Sequence, residues 1–149
     1  MRVVEYQQQG MRSFERGGLT EAVVLSSLAK AGYTVLVPFG VARYDLAIDA
    51  RDGRGLKTVQ CKTGRIRNGC IIWATCSNHT LTYVRTSYRG QVDYFGVWCP
   101  EFGEDAYLVP VDAVGEREGA LRITEPKIRV RQSGLRWAKD FTINTLNGM

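Results

Sequence analysis

The chain has a single histidine, His79, and no C-x-x-C pair among its four cysteines. A tetrahedral zinc site would have to gather ligands scattered along the sequence. Cys61, Cys70, Cys76 and Cys99 are therefore expected to be reduced, structural thiols. No apolar run approaches the roughly 20 residues that a membrane helix requires. The first residues, MRVVEYQQQG, hold neither the apolar segment nor the small-residue cleavage site of a signal peptide. These absences point to a cytoplasmic protein with no membrane partner. No repeat, linker or low-complexity tract divides the 149 residues, which suits one domain with a real core.

A further absence concerns charge. Residues 54 to 92 contain no carboxylate, yet they carry Arg54, Lys57, Lys62, Arg65, Arg67, Arg85 and Arg89. Residues 93 to 125 reverse the balance, with eight acidic groups and two basic ones, and residues 126 to 149 return to five basic and one acidic. An acid-free basic stretch suits contact with a polyanion, because each phosphate neutralised releases counterions. It is equally compatible with a solvated basic face.

What is present reads as a mixed α/β domain. GGLTEAVVLSSLAKAG places Glu21, Leu25 and Leu28 at helical spacing, with Gly32 as the stop. YTVLVPF follows as a short β-branched run. YDLAIDA and LKTVQCKT alternate around RDGRG, whose Asp-Gly dipeptide signals a hairpin. CIIWATCS, DYFGVWC and DAYLVPV read as further strands. Towards the end, ALRIT and KIRVRQ are strand-like and GLRWAKDFTI suggests a short closing helix. A helix followed by several strands implies helical elements packed on a central sheet.

The hairpin carries the chemistry. If Asp52-Gly53 is a two-residue turn, paired positions sum to 105 and Asp45 lies opposite Gln60. Side chains alternate at period two, so Gln60 and Lys62 share a face with Asp45, while Leu46, Ile48, Val59 and Cys61 form the buried side. A longer loop could shift the register by one and break the cluster. An aspartate beside a carbonyl oxygen can hold a hard divalent cation such as magnesium. A neighbouring lysine can stabilise charge on a phosphoryl group. The same trio on an exposed hairpin is often only solubilising surface. Glu21 adds a carboxylate on the Leu25 and Leu28 stripe, where burial is costly without a partner. A site beneath the helix would account for it, as would a first-turn glutamate favoured by the helix dipole near an N-cap such as Thr20.

Taken together, Glu21 on the opening helix, Tyr44-Asp45-Leu46 and Gln60-Cys61-Lys62 resemble the PD-(D/E)xK nuclease superfamily. The wider pattern of GGLTEA, GYTVLVPFG, RYDLAID, VQCKTGRIRNGCIIW, YRGQVDYFGVWCPE and AYLVPV is similar to its group I intron homing endonuclease branch. The resemblance covers roughly residues 17 to 112, leaving 113 to 149 as an extension of one nuclease domain. It implies a restriction-endonuclease-like core, a central mixed sheet flanked by helices. Asp45 would be the principal metal ligand, with Gln60, Glu21 and the backbone carbonyl of Cys61 completing the set. Lys62 would be the catalytic lysine. Two positions depart from the pattern: Tyr44 stands where the superfamily has proline, and Gln60 where it usually has an acid. The neutral glutamine leaves one negative charge fewer for the cation.

The implied function is a magnesium-dependent endodeoxyribonuclease, with manganese as a substitute, making site-specific double-strand cuts of the homing type. Arg65, Arg67, Arg85 and Arg89 are the candidates for holding double-stranded DNA. One catalytic site in so small a chain implies self-association as a dimer or tetramer to cut both strands. A Holliday-junction resolvase shares the core, and a DNA-binding module that has lost catalysis would also fit Gln60. Asp93 recurs in the resemblance and is expected to make a structural hydrogen bond. Trp73, Trp98 and Trp137 could stack on bases, although buried tryptophans are more often core residues. His79 is expected in a loop.

Overall fold

The architecture, seen in a computed structural model that describes residues 13–78, 81–127 and 135–144, starts from one long helix. α1 spans Ser13–Lys30. It begins earlier than the sequence suggests and runs through Gly17 and Gly18, each of which costs about 1 kcal/mol in a helix interior. Tertiary packing offsets that cost: Thr20, Val24 and Leu28, spaced by four, are 1%, 0% and 0% exposed. Thr20 is thus an interior residue and not an N-cap. Its hydroxyl donates to the Arg16 carbonyl (3.0 Å) and meets the Thr63 hydroxyl (2.6 Å), which ties the helix to the sheet. The helix stops at Gly32 (φ 102°), where the Tyr33 N–H returns to the Leu28 carbonyl (3.1 Å).

Among the described residues ten strands follow: β1 Thr34–Leu36, β2 Leu46–Asp49, β3 Leu56–Thr63, β4 Arg65–Arg67, β5 Cys70–Ala74, β6 Cys76–Asn78, β7 Arg85–Ser87, β8 Tyr94–Trp98, β9 Ala106–Pro110 and β10 Glu118–Arg122. The central sheet is mixed, in the order β1-β2-β3-β8-β9, with only the β3 and β8 pair parallel. A second sheet has the order β10-β5-β4, and β6 and β7 form a two-stranded ribbon. β10 brings the segment beyond residue 112 into the core through Leu121, which is fully buried.

Two apolar clusters divide the interior. Val24 and Leu28 of α1 pack on Leu46, Ile48, Val59 and Cys61. On the opposite side, Phe95, Val97, Tyr107 and Val109 pack on Ile71 and Trp73 of β5 and on Tyr88. The molecule is therefore layered as helix, central sheet, second sheet. Fully burying an aliphatic or aromatic side chain is worth about 1.5–3 kcal/mol, so both clusters stabilise the strand that lies between them. Gly96 of β8 lets α1 approach closely: a Cβ there would lie 2.6 Å from Val24 and 3.0 Å from Val59.

Several expectations change. The β2 and β3 strands pair as Leu46↔Val59, Ala47↔Thr58, Ile48↔Lys57 and Asp49↔Leu56, which retains the sum of 105. The connection is nevertheless not a two-residue Asp52-Gly53 turn. Pairing ceases at Asp49, and the loop bends through Arg51, Gly53 and Gly55, all at positive φ, with the Asp49 and Asp52 carboxylates accepting the Arg51 and Arg54 N–H groups. Arg51 and Arg54 lie in this loop and form no strand pair. CIIWATCS is two strands, broken at Thr75. Instead of a closing helix, GLRWAKDFTI contains one 3-10 turn, Ala138–Asp140, with bridges Arg122↔Trp137 and Tyr107↔Thr142. Among the described residues the central sheet is covered by one α-helix on one face and by the second sheet on the other. His79 and the KIRVRQ segment from Ile128 onward lie outside the described residues.

Candidate active site

β3 is the spine of the site. Its burial alternates, with Val59 and Cys61 beneath α1 and Gln60 and Lys62 half-buried on the other side. Past the end of the β2 and β3 ladder, the Asp45 N–H still reaches the Val59 carbonyl (3.0 Å). The Cys61 N–H donates to the Asp45 carboxylate (2.9 Å). A side chain has taken over where the backbone ladder stops, which fixes the Asp45 carboxyl at the mouth of the diverging strands.

Glu21 reaches the same place from α1. It is exposed and Leu25 is half-buried, so the buried stripe of the helix is Thr20, Val24 and Leu28 and not the Glu21, Leu25 and Leu28 stripe that the helical spacing suggested. Desolvation, the Asp45 charge and a hydrogen bond to Asp45 together hold its carboxyl above the usual carboxylate range. Burial, with the Asp45 and Glu21 carboxylates nearby, pushes the Cys61 thiol up as well. Cys61 is thus a protonated thiol, and all four cysteines are free.

The structure therefore brings Glu21 and Asp45 together and places Gln60 and Lys62 on the adjoining strand. The Gln60 amide makes no hydrogen bond among the described residues. Lys62 turns to Tyr88: its Nζ lies 4.6 Å from the ring centroid and 3.4 Å from the hydroxyl. Arg43 shares that ring, with its guanidinium carbon 3.9 Å from the centroid. Such contacts are worth about 0.5–2 kcal/mol each. Neither Arg43 nor Tyr88 stood out as a site residue in the sequence; the nearness of Arg43 to Asp45 was the one available signal.

Two carboxyl groups in contact are an arrangement that a cation would relieve, and the donor set suits one. Glu21 and Asp45 offer hard oxygen ligands, and the amide oxygen of Gln60 and the Cys61 carbonyl are of the same chemical kind. No group of three His, Cys, Asp or Glu side chains placed to hold a metal ion occurs among the described residues, and the third position here is a glutamine. The residues fit a hard divalent ion with two charged ligands and the remainder neutral.

Around this centre the basic stretch is not uniform. Arg65 and Arg67 lie on β4, exposed, and Arg85 is exposed on β7. Arg67 pairs with Glu118, and Arg89 pairs with Glu116 (3.3 Å) while donating to the Val114 carbonyl (2.7 Å). The acidic block thus folds back on part of the basic one. β4 itself was missed as a strand, although Asn68-Gly69 is a hairpin signal; those residues turn β4 into β5 at φ 51° and 72°. Asp93 makes the expected structural bonds, its carboxylate accepting from the Thr58 N–H (2.8 Å) and hydroxyl (3.2 Å), which aligns β8 with β3. Trp73 and Trp98 are core residues at 3% and 5% exposure, which removes them as stacking platforms. Trp137 is half-buried near Lys139.

Comparison with known proteins identifies the family and the fold. The sequence model of the PD-(D/E)XK endonuclease family matches residues 11–144. Among solved structures, the chain is similar to a bacterial homing endonuclease, I-Ssp6803I, with a TM-score of 0.68 and 23% identity over 89% of each chain. A weaker likeness, TM-score 0.43 and 18% identity, covers 72% of this chain and 84% of Hjc, a Holliday junction resolvase from Archaeoglobus fulgidus, and carries no weight for function. A search of the curated proteins finds no match to the chain.

Proposed function

Because the chain belongs to the PD-(D/E)XK endonuclease family, we propose that it is a divalent-metal-dependent endonuclease that hydrolyses phosphodiester bonds in double-stranded DNA. Magnesium is the expected ion, with manganese as a substitute. The observation that supports this most is the meeting of Glu21 and Asp45 at the mouth of β2 and β3, with Gln60 and Lys62 on the strand alongside. The fold likeness to I-Ssp6803I supports the homing type of site-specific double-strand cleavage as the reading to test first. With one such centre per chain, cutting both strands calls for a symmetric dimer or tetramer.

Asp45 and Glu21 would supply the charge that holds the ion, and Gln60 and the Cys61 carbonyl would complete its oxygen ligands. When bound, the ion supplies Lewis acidity towards a phosphoryl oxygen and activates water. Lys62 contributes a positive charge to the phosphate as negative charge builds on it. Arg65 and Arg85 would hold the backbone of the duplex, with Arg67 and Arg89 contributing where their ion pairs yield.

The test is cleavage of plasmid DNA in a magnesium or manganese titration, alongside binding measured without metal. Asp45→Ala and Lys62→Ala are each expected to lower the cutting rate by at least about a hundredfold while DNA binding persists. Equal cutting by either variant would sink its assignment. Salt-sensitive binding with no cutting in either metal would mark a DNA-binding module in place of a nuclease.

A further inference from the structure

Tyr88 is an unusual place to find two cations. The ring is 5% exposed and stands edge-on to Phe95, with centroids 5.8 Å apart and planes at 87°. The backbone carbonyl of Tyr88 accepts the N–H groups of Gln91 (3.0 Å) and Val92 (3.1 Å). Arg43, lying over the ring, is held in turn by the Gln91 side-chain oxygen, the Ser77 hydroxyl (2.8 Å) and the Thr86 carbonyl (3.3 Å). Ring and guanidinium are therefore both fixed from several directions. Lys62 is not: among the described residues it has no carboxylate within ion-pair distance, and the ring and hydroxyl of Tyr88 are its polar contacts.

A lysine side chain has four rotatable bonds and loses considerable freedom when its ammonium is held in one place. A carboxylate partner would hold it, but would also neutralise the charge that a phosphate needs and compete for the lysine. The face of an aromatic ring attracts an ammonium through its quadrupole while adding no net countercharge. A second cation on the same ring divides that attraction, so the lysine is placed without being trapped.

We infer that Tyr88 is a positioning residue for the reaction, its ring holding the Lys62 ammonium for transfer to a phosphate oxygen, with Arg43 fixing the ring. The inference rests on the nuclease reading of Lys62. It also links the two halves of the site, since Arg43 precedes Asp45 by two residues and bonds to the β6 and β7 ribbon. A purely structural Tyr88 would only need to fill space against Phe95.

The electronic character of the ring separates these roles. Phenylalanine and pentafluorophenylalanine at position 88 have similar shapes and both fill the core, but fluorination reverses the quadrupole. Tyr88→Phe is expected to preserve the single-turnover cutting rate within about threefold, rescuing the ring's function without the hydroxyl. The fluorinated variant is expected to cut about tenfold more slowly than Tyr88→Phe, with duplex affinity within about twofold of it. The upfield ring-current shift of the Lys62 ε-methylene protons should persist in Tyr88→Phe and disappear in the fluorinated protein. Equal cutting by the two variants would overturn the positioning role while leaving the nuclease reading intact, provided Lys62→Ala is inactive. Full cutting by Lys62→Ala would overturn both.

Discussion

The candidate site has an acidic half and a basic half, and the two are held in different ways. At the mouth of β2 and β3, Glu21 meets Asp45 beside a buried thiol. Lys62 and Arg43 share the Tyr88 ring. Each half gathers charges of one sign, and among the described residues no ion pair joins Lys62 to either carboxylate. Glu21 and Asp45 are like charges in contact, which is unfavourable in the free protein, whereas the Tyr88 ring attracts both of its cations. On the proposed reading, the acidic half would take a metal cation and the basic half a phosphate. The Asp45 carboxylate, bonded to the Cys61 N–H, ties the acidic half to β3, the same strand that carries Gln60 and Lys62.

The largest change expected from altering that contrast comes at Gln60. Gln60→Glu adds the missing negative charge to the acidic half, and half-maximal cleavage should then require several-fold less magnesium than in the wild type. Metal titrations of cleavage measure this directly. An unchanged titration in a folded variant would show that Gln60 lies outside the ligand set, and loss of folding would make it a packing residue.

A middle-sized effect is expected when the basic stretch is divided by what its arginines already touch. Arg65→Ala and Arg85→Ala should each lower the salt dependence of DNA binding by about one unit of log–log slope. Arg67→Ala and Arg89→Ala should change that slope less, because Glu118 and Glu116 already engage these side chains. Binding isotherms across a salt series give the four slopes. Four equal slopes would mean that the ion pairs open on DNA.

The smallest effect concerns Glu21 in the absence of metal. Its carboxyl stands above the ordinary value of 4.5, through desolvation first and Asp45 second. Between that value and the raised one, the native state binds more protons than the unfolded chain, so this group makes stability fall as pH rises through the window. Glu21→Gln should match the wild type below the window and melt slightly higher above it. The shift is small because Glu21 is exposed to solvent, which screens it. Melting temperatures between pH 4 and 8 test the sign, and added magnesium should stabilise the wild type more than the variant.

Much of the fold was legible because local rules carry it. Glu21, Leu25 and Leu28 mark a helix by spacing, although the stripe that is buried proves to be Thr20, Val24 and Leu28, and Val59 and Cys61 alternate with Gln60 and Lys62 as a strand must. The hairpin register survived an incorrect turn for a simple reason: a six-residue loop over residues 50–55 is centred on the same point as an Asp52-Gly53 turn, so the paired positions keep the same sum. The C-terminal segment was less legible, because Ala138–Asp140 is fixed by bridges to distant strands and not by any period of its own.

The sequence by itself determined which residues share a strand face, where β2 and β3 register, and which side chains have the chemistry for a metal and a phosphate. Those properties follow from the fixed periods of helix and strand, which act over a few residues. Only the tertiary structure decided that Glu21 reaches Asp45 from an exposed helical position, that acidic side chains draw in Arg67 and Arg89, and that Lys62 rests on Tyr88. Each of these joins residues far apart in the chain, and their meeting depends on how the helix and two sheets stack, which no local pattern encodes.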